Sequence, residues 1–261
     1  MIVTESAQII AHHQLTEEIF SLLLEAPKIA TQVKPGQFVM IRISDNYSFM
    51  LRRPFAIADC TQNNIRIIYR VVGKGTKELS KRKPKENLDI LGPLGRSIPN
   101  LKNKKIALCA GGIGIAPLKL VASKLAQTNE LYLYYGAKTK KELLFLNELK
   151  ALCGKLILAT EDGSWGKKGL IVNFLDVAFF KEQKIEVLFA AGPLKMLKNL
   201  KIKLKDFPQL IPYVFLESRM GCGCGLCYCC GVKTINGEYL RICTDGPVFN
   251  LHQVELTSLE L

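Results

Sequence analysis

Six of the chain's nine cysteines fall between positions 222 and 243. Packing does not ask for such crowding, but metal ligation does. Cys222, Cys227 and Cys230 follow the spacing C-x4-C-x2-C, and Cys243 lies 13 residues beyond Cys230. Three close thiolates with one distant fourth form the plant-type [2Fe-2S] arrangement. Gly221, Gly223 and Gly225 accompany them. A backbone with little side-chain bulk can wrap an inorganic core closely and turn N–H groups toward sulfur, which helps set a reduction potential. Zinc is the rival occupant of a cysteine-rich segment, but a zinc ribbon needs two separate C-x2-C knuckles. Here Cys224/Cys227 and Cys227/Cys230 share Cys227, so two knuckles cannot form. Cys224 and Cys229 are expected to be extra thiols outside the ligand set.

The remaining cysteines, Cys60, Cys109 and Cys153, stand singly among apolar neighbours and are expected to be buried structural thiols. The first residues carry no basic stretch followed by an apolar one, so no secretory signal is read. The apolar runs, such as 187–191, are far too short for a membrane span. A cytoplasmic protein with reduced thiols is the expectation. The net charge of +13 permits a nucleic-acid reading. The lysines are spread along the chain without a nucleic-acid module, however, so a solvated basic surface is expected, part of it facing anionic cofactors or an acidic partner.

With 261 residues, 48% of them hydrophobic, the chain can build one large domain or two medium ones plus an appendage. Residues 1–99 read as short strands broken by turns, at 38–43, 65–72 and 88–91, which suggests a β-barrel. From 100 to 214 strand-like runs at 105–110, 131–135, 155–159 and 186–190 alternate with helical patterns from 117 to about 126 and from 140 to 152. That alternation implies a parallel α/β sheet. Residues 215–261 hold the cysteines and too few apolar residues for a core of their own, so a metal centre is expected to supply stability there.

Between the first α/β strand and its helix runs Ala110-Gly111-Gly112-Ile113-Gly114-Ile115-Ala116-Pro117. Glycines in this setting, Gly112 and Gly114 above all, let a pyrophosphate approach the free N–H groups and dipole of a helix N-terminus. Pro117 suits a first helical turn. The segment departs from the usual dinucleotide fingerprint. Pro117 stands where a third glycine is expected, no acid ends the second strand, and Glu161-Asp162-Gly163 follows the third. The nucleotide is therefore expected to lie differently from the standard arrangement.

Together these motifs resemble the ferredoxin–NADP reductase-like superfamily, in the right order and over essentially the whole chain. Pro35-Gly36-Gln37-Phe38 is similar to its barrel strand, Arg52-Arg53-Pro54-Phe55-Ala56-Ile57 to its flavin motif and Gly75-Thr76 to its flavin-phosphate segment. Gly92-Pro93-Leu94-Gly95 is similar to the end of its barrel, and Ala191-Gly192-Pro193-Leu194 to its late strand-to-helix turn. The C-terminal composite runs from Glu217 through Met220, Cys222, Cys227 and Cys230 to Ile242-Cys243-x-Asp245-Gly-Pro-Val-Phe249. It resembles the electron-transfer subunits of class 1B dihydroorotate dehydrogenases. The resemblance implies an N-terminal FAD-binding antiparallel barrel (1–99), a nucleotide-binding parallel α/β domain (100–214) and a small C-terminal [2Fe-2S] subdomain (215–261). It implies FAD contacts at Arg53, Pro54, Phe55, Ala56, Ile68, Tyr69, Arg70, Gly75 and Thr76, with the cluster on Cys222, Cys227, Cys230 and Cys243. NAD is the expected exchanged substrate. An FMN-containing catalytic subunit is the implied partner, in a heterotetramer of two copies of each.

Two departures stand out. Many relatives carry Ser or Thr where this chain has Ala56, a hydroxyl that can hydrogen-bond flavin N5, and many superfamily members carry Cys in place of Ala191. His12, His13 and His252 form no catalytic constellation, and no base for dihydroorotate oxidation is identifiable, so the chain is expected to carry electrons rather than oxidise the pyrimidine itself. Nicotinamides exchange hydride whereas a [2Fe-2S] cluster takes single electrons; a flavin does both, which explains three sites in one chain. Relatives serving other partners, such as small subunits of NADH-dependent ferredoxin:NADP⁺ oxidoreductases, share the first 215 residues. Those usually place an aspartate where Cys222 stands.

Overall fold

Period-two burial organises the first hundred residues. Along β1 (Val3–Gln14) Glu5, Ala7 and Ile9 are buried and their neighbours exposed, as a strand with one face on a core requires. β2 (Ile19–Glu25), α1 (Pro27–Ala30), β3 (Phe38–Ile41), β4 (Arg53–Cys60), β5 (Asn64–Arg70), α2 (Lys74–Leu79) and β6 (Asn87–Leu94) follow. The six strands close into an antiparallel barrel in the order β1-β2-β5-β4-β3-β6, which leaves no unpaired edge. Ile9, Leu22, Ile41, Ile57, Ile67 and Ile90 fill its interior. The buried Glu5 is satisfied by accepting hydrogen bonds from Lys28 N and Ile29 N, each 3.1 Å, at the start of α1. The computed structural model describes residues 1–44 and 49–259.

The second half is built on β7 (Lys105–Gly111), α3 (Ile115–Leu125), β8 (Glu130–Ala137), α4 (Leu146–Leu152), β9 (Lys155–Thr160) and β10 (Lys167–Lys168). It continues with α5 (Val177–Glu182), β11 (Val187–Ala191), α6 (Leu194–Lys203) and β12 (Ile211–Phe215). These strands form a parallel sheet, and buried residues alternate between its two covered faces. Ala107 and Cys109 join one core, Ile106, Leu108 and Ala110 the other, so β7 reads as a continuous apolar run. The order β10-β9-β8-β7-β11-β12-β15 reverses direction between β7 and β11, the switch point at which such sheets open a crevice for ligands.

Two helices differ from the sequence expectation. Where one helix was expected over 140–152, a 3₁₀ turn (Lys140–Glu142) is separated from α4 by Phe145, whose φ of 60° is left-handed and ends any continuous helix. α3 begins at Ile115, entered through a 3₁₀ turn at Gly112–Gly114, so Pro117 lies third in the helix. The C-terminal segment also behaves differently from an appendage. After β13 (Gly231–Lys233) and β14 (Tyr239–Arg241), β15 (Val248–Asn250) pairs antiparallel with β12 as the seventh strand of the main sheet. Val232, Ile242, Phe249, Leu251 and Val254 share a core with Leu188, Leu200 and Phe207. The segment's few apolar residues thus suffice because they pack onto the α/β sheet.

Barrel and sheet are joined by Lys119 of α3, which is buried, donates to Asp59 of β4 and pairs with Glu148 of α4 at 2.8 Å. Lys119→Met, which keeps the aliphatic stem, is expected to cost about 2 kcal/mol. That is less than a fully enclosed pair would lose, because Asp59 and Glu148 remain 31% and 48% exposed and water takes over part of their solvation. Urea unfolding checks this, and a loss below about 0.5 kcal/mol would show that Lys119 does not clamp the two units together.

Candidate functional site

Side-chain alternation divides the expected flavin residues between two faces. Phe55 and Tyr69 turn into the barrel. The Tyr69 ring stacks on Phe20 (5.6 Å, 18°) and meets Phe55 edge-on at 5.7 Å, and its hydroxyl lies 2.9 Å from His12 Nε2. Burial pushes the Tyr69 phenol pKa up. What these two residues offer the outer face is backbone. The register that pairs Ile57 with Ile67 sets Ala56 opposite Ile68. Ile68 and Ala58 face outward, in one core with Ile115 and Leu118 of α3, and by alternation Pro54, Ala56 and Arg70 share that face.

At the barrel's rim Arg53 meets the start of α2. A Cβ on Gly75 would stand 3.3 Å from Arg53 Nε, so glycine admits the guanidinium. Arg53 Nη1 donates to Leu51 O at 2.6 Å. Thr76 Oγ1 accepts from Val72 N (2.9 Å) and Gly73 N (3.2 Å), fixing the turn into the helix. A guanidinium beside glycine-bearing backbone fits an anionic phosphate.

The C-terminal ends of β7, β8, β11 and β12 surround a cleft of about 630 Å³ that also reaches Glu18 and Arg70 of the barrel. Its two key glycines do different work. Gly112 is at φ +54°, and a Cβ added there would meet nothing within 4 Å, so the position is open for ligand approach. A Cβ on Gly114 would run into the Ala191 carbonyl and stand 2.7 Å from Gly192 N, so that glycine serves the packing of turn against turn. The free N–H groups entering α3 point a positive end at the cleft. Arg70 spans its mouth, pairing at 2.8 Å with both Glu18 of the barrel and Glu142 of the α/β unit. Glu161 lines the cleft at the end of β9, and Glu217 lines it just beyond β12 with no partner among the described residues. The Glu217 carboxylate opens only into the cleft, and burial raises its pKa.

The cysteine loop packs on the barrel's end. A Cβ on Gly223, at φ +73°, would collide with Met40 Sδ and stand 3.2 Å from Leu94. Arg96 N donates to Gly246 O at 2.6 Å and Leu216 N to Pro247 O at 2.9 Å. Within the loop, Leu226 N and Cys227 N donate to Cys222 Sγ at 3.3 and 3.4 Å. Burial works against a Cys222 thiolate, but these N–H groups and a contact with the Cys227 thiol bring its pKa down to about 6. Cys243 N donates to Cys230 Sγ at 3.5 Å, and the two thiols are in contact. Burial first, and then Cys230, push the Cys243 thiol up to about 12.

The four expected ligands therefore stand as two pairs, Cys222 with Cys227 and Cys230 with Cys243. Among the described residues, no three Cys, His, Asp or Glu side chains group around a single metal position. Two pairs of thiols suit two irons, and a Cβ on Gly221 would come within 3.2 Å of Cys227 Sγ, which leaves the room the cluster needs. The donor set fits a [2Fe-2S] cluster. Cys224 and Cys229 are exposed, with the Cys224 thiol against Cys222. Of the scattered cysteines, Cys109 and Cys153 are buried, while Cys60 is half-buried with its S–H on Ala30 O at 3.2 Å.

A closed barrel, a switch-point cleft and a paired-thiol loop in one chain define a flavin- and nicotinamide-linked iron–sulfur oxidoreductase of the ferredoxin–NADP reductase-like fold. Family models agree along the chain: an FAD-binding domain over residues 4–114, an oxidoreductase NAD-binding domain over 108–201, and the iron-sulfur cluster binding domain of dihydroorotate dehydrogenase B over 217–255. The dihydroorotate dehydrogenase B (NAD(+)) electron transfer subunit homolog of Aquifex aeolicus (strain VF5) is 37% identical over 98% of this chain and 100% of its own length. The corresponding electron transfer subunit of Geobacillus sp. (strain WCH70) is 35% identical over 98% and 100%. A solved structure of an NADH-dependent reduced ferredoxin-NADP oxidoreductase superposes with a TM-score of 0.88 at 31% identity, over 98% of this chain and 91% of that one. The chain belongs to the family of dihydroorotate dehydrogenase B (NAD(+)) electron transfer subunits. No helix among the described residues is long and apolar enough to cross a membrane.

Sequence reasoning missed three residues of the site. Glu142 lies inside what reads as a helix, His12 gives no hint that it meets Tyr69, and Glu217 stands in a recognised motif without a sign of where it points. Each is defined by a partner or cavity made of distant residues.

Proposed function

We propose that this chain takes electrons from an FMN-containing dihydroorotate dehydrogenase catalytic subunit and delivers them to NAD⁺, in the cytoplasm, as part of pyrimidine biosynthesis. The observation that carries the reading is the seating of the cysteine loop on the same barrel end that bears Pro54 and Ala56, through Met40 and Leu94, with the nicotinamide cleft alongside. Cys222 and Cys227 would hold one iron, Cys230 and Cys243 the other. Arg53, Gly75 and Thr76 would hold the phosphates of FAD. Ala56, Ile68 and Arg70 would face the flavin by their side chains, and Pro54, Phe55 and Tyr69 chiefly by backbone. Gly112 would admit the nucleotide, with Gly114 keeping the turn in place. Bound flavin supplies the conversion between single-electron and hydride transfer; the chain's own residues position it and exclude water. A heterotetramer with two copies of each subunit is the assembly we infer.

The likeness to the NADH-dependent reduced ferredoxin-NADP oxidoreductase structure supports a second reading, service to a different partner. Anaerobic co-expression with a candidate catalytic subunit separates the two. Dihydroorotate-dependent NAD⁺ reduction by the co-purified complex is expected. A complex that forms and reduces NAD⁺ only from another donor, such as ferredoxin, would sink the dihydroorotate reading.

A further inference from the structure

Electrons that pass through an iron–sulfur cluster arrive singly and without protons, whereas a nicotinamide leaves with a hydride. One proton must therefore enter at flavin N5 for every two electrons, and some group of the cleft has to supply it. The outward residues of β4 and β5 offer little. Pro54, Ala56, Ala58 and Ile68 have no exchangeable side-chain proton, and Arg70 is committed to Glu18 and Glu142. In this chain Ala56 also removes the hydroxyl that a serine would place there.

Glu217 stands where that gap falls. The preceding Leu216 packs in one core with Phe38 and Leu94, and Phe38 is the register partner of Ala56. A few residues later Gly223 abuts Met40, the register partner of Pro54. The chain from 216 to 223 thus runs along β3, next to the flavin motif on β4, and Glu217 lines the nicotinamide cleft at the start of that run. The other charged groups of the cleft are accounted for. Glu18 and Arg70 face it from the barrel, Lys138, Glu142 and Glu161 from the sheet ends, and Lys195 from α6. Glu18 and Glu142 are held by Arg70, and Glu161 stands beyond β9, two strands away from β7 on the side opposite β12. Only Glu217 among these carboxylates combines a cleft-facing position beside β3 with the lack of any partner among the described residues.

We propose that Glu217 is the proton donor of this cleft, supplying flavin N5 with one proton for every two electrons that arrive through the cysteine loop. The Glu217 O–H bond breaks and an N–H bond forms at N5. That hydrogen leaves with both electrons as the hydride passed to the nicotinamide, and the Glu217 carboxylate recovers a proton from cleft water. No further oxidant or reductant is needed. Burial favours the protonated carboxyl, as a donor requires.

The inference rests on the flavin–nicotinamide reading above, and the two are tested by separate reductants. Dithionite delivers single electrons and needs the proton, whereas NADH brings its own hydrogen. In stopped-flow reduction of the purified, cofactor-loaded chain between pH 6 and 9, Glu217→Gln is expected to slow flavin reduction by dithionite about 10²-fold. Reduction by NADH, and the NADH dissociation constant, should stay within about twofold. In the wild type the dithionite rate should fall as pH rises through the Glu217 pKa, and in Glu217→Gln that dependence should be absent. Glu217→Asp should restore part of the rate. Equal slowing with both reductants, or no slowing with either, overturns the donor role. A wild-type chain that carries FAD but is not reduced by NADH removes the underlying reading and the proposal with it.

Discussion

Cys227→Ser is expected to lose the cluster while the flavin and nicotinamide half of the chain goes on working. Cys227 is exposed whereas Cys230 and Cys243 are buried in the apolar core, so this substitution tests ligation without cutting into packing. Serine is a far poorer ligand for iron than thiolate, and the paired arrangement leaves Cys222 alone on its iron. Iron and sulfide content should fall at least about tenfold, and dihydroorotate-coupled NAD⁺ reduction about a hundredfold or more. NADH-driven reduction of ferricyanide, which bypasses the cluster, should stay within about twofold. Cys224→Ser is the control and should keep its iron. A Cys227→Ser protein with full iron and an unchanged EPR signal in the reduced state would contradict the pairing of thiols described above.

Gly114→Ala is expected to be the most damaging single methyl group that can be added to the α/β unit's turns. The new Cβ would meet the Ala191 carbonyl and Gly192 N, all backbone, with no flexible side chain to move aside. Overpacking of this kind costs about 3 kcal/mol, the upper part of its usual range. Relief by shifting the turn would carry the N-terminus of α3 away from the cleft. A lower unfolding midpoint in urea and at least tenfold weaker NADH binding (about 1.4 kcal/mol) are expected together. Gly112→Ala makes the comparison, because its Cβ meets open space and only the left-handed φ is penalised, at about 1 kcal/mol. Equal stability of the two variants would refute the division of labour between the glycines.

Local order was readable where chemistry and spacing are local. The cysteine spacing, the glycine turn and the period-two strands all lie within a dozen residues of themselves, and the structure places a loop, a helix entry and barrel strands there. What could not be read was set across distance. Phe145 adopts a left-handed conformation that no pattern in 140–152 announces. β15 looks like a short apolar run in a cysteine-rich tail, and only the free side of β12 gives it a sheet to join. Lys119 lies on a helix where a lysine reads as solvated, yet Asp59, sixty positions earlier, and Glu148 draw it inside. For the flavin motif the sequence named Phe55 and Tyr69 as contacts without separating side chain from backbone, a distinction that only the direction of the pleat makes.

The attachment of β15 to β12 and of Gly223 to Met40 has a mechanical consequence. The iron-bearing segment is riveted at one end to the sheet and at the other to the barrel, so it cannot swing as an arm between a docked protein and the flavin. The path length for tunnelling is built in at folding, and traffic along it must be governed by which molecules occupy the two ends rather than by a travelling carrier.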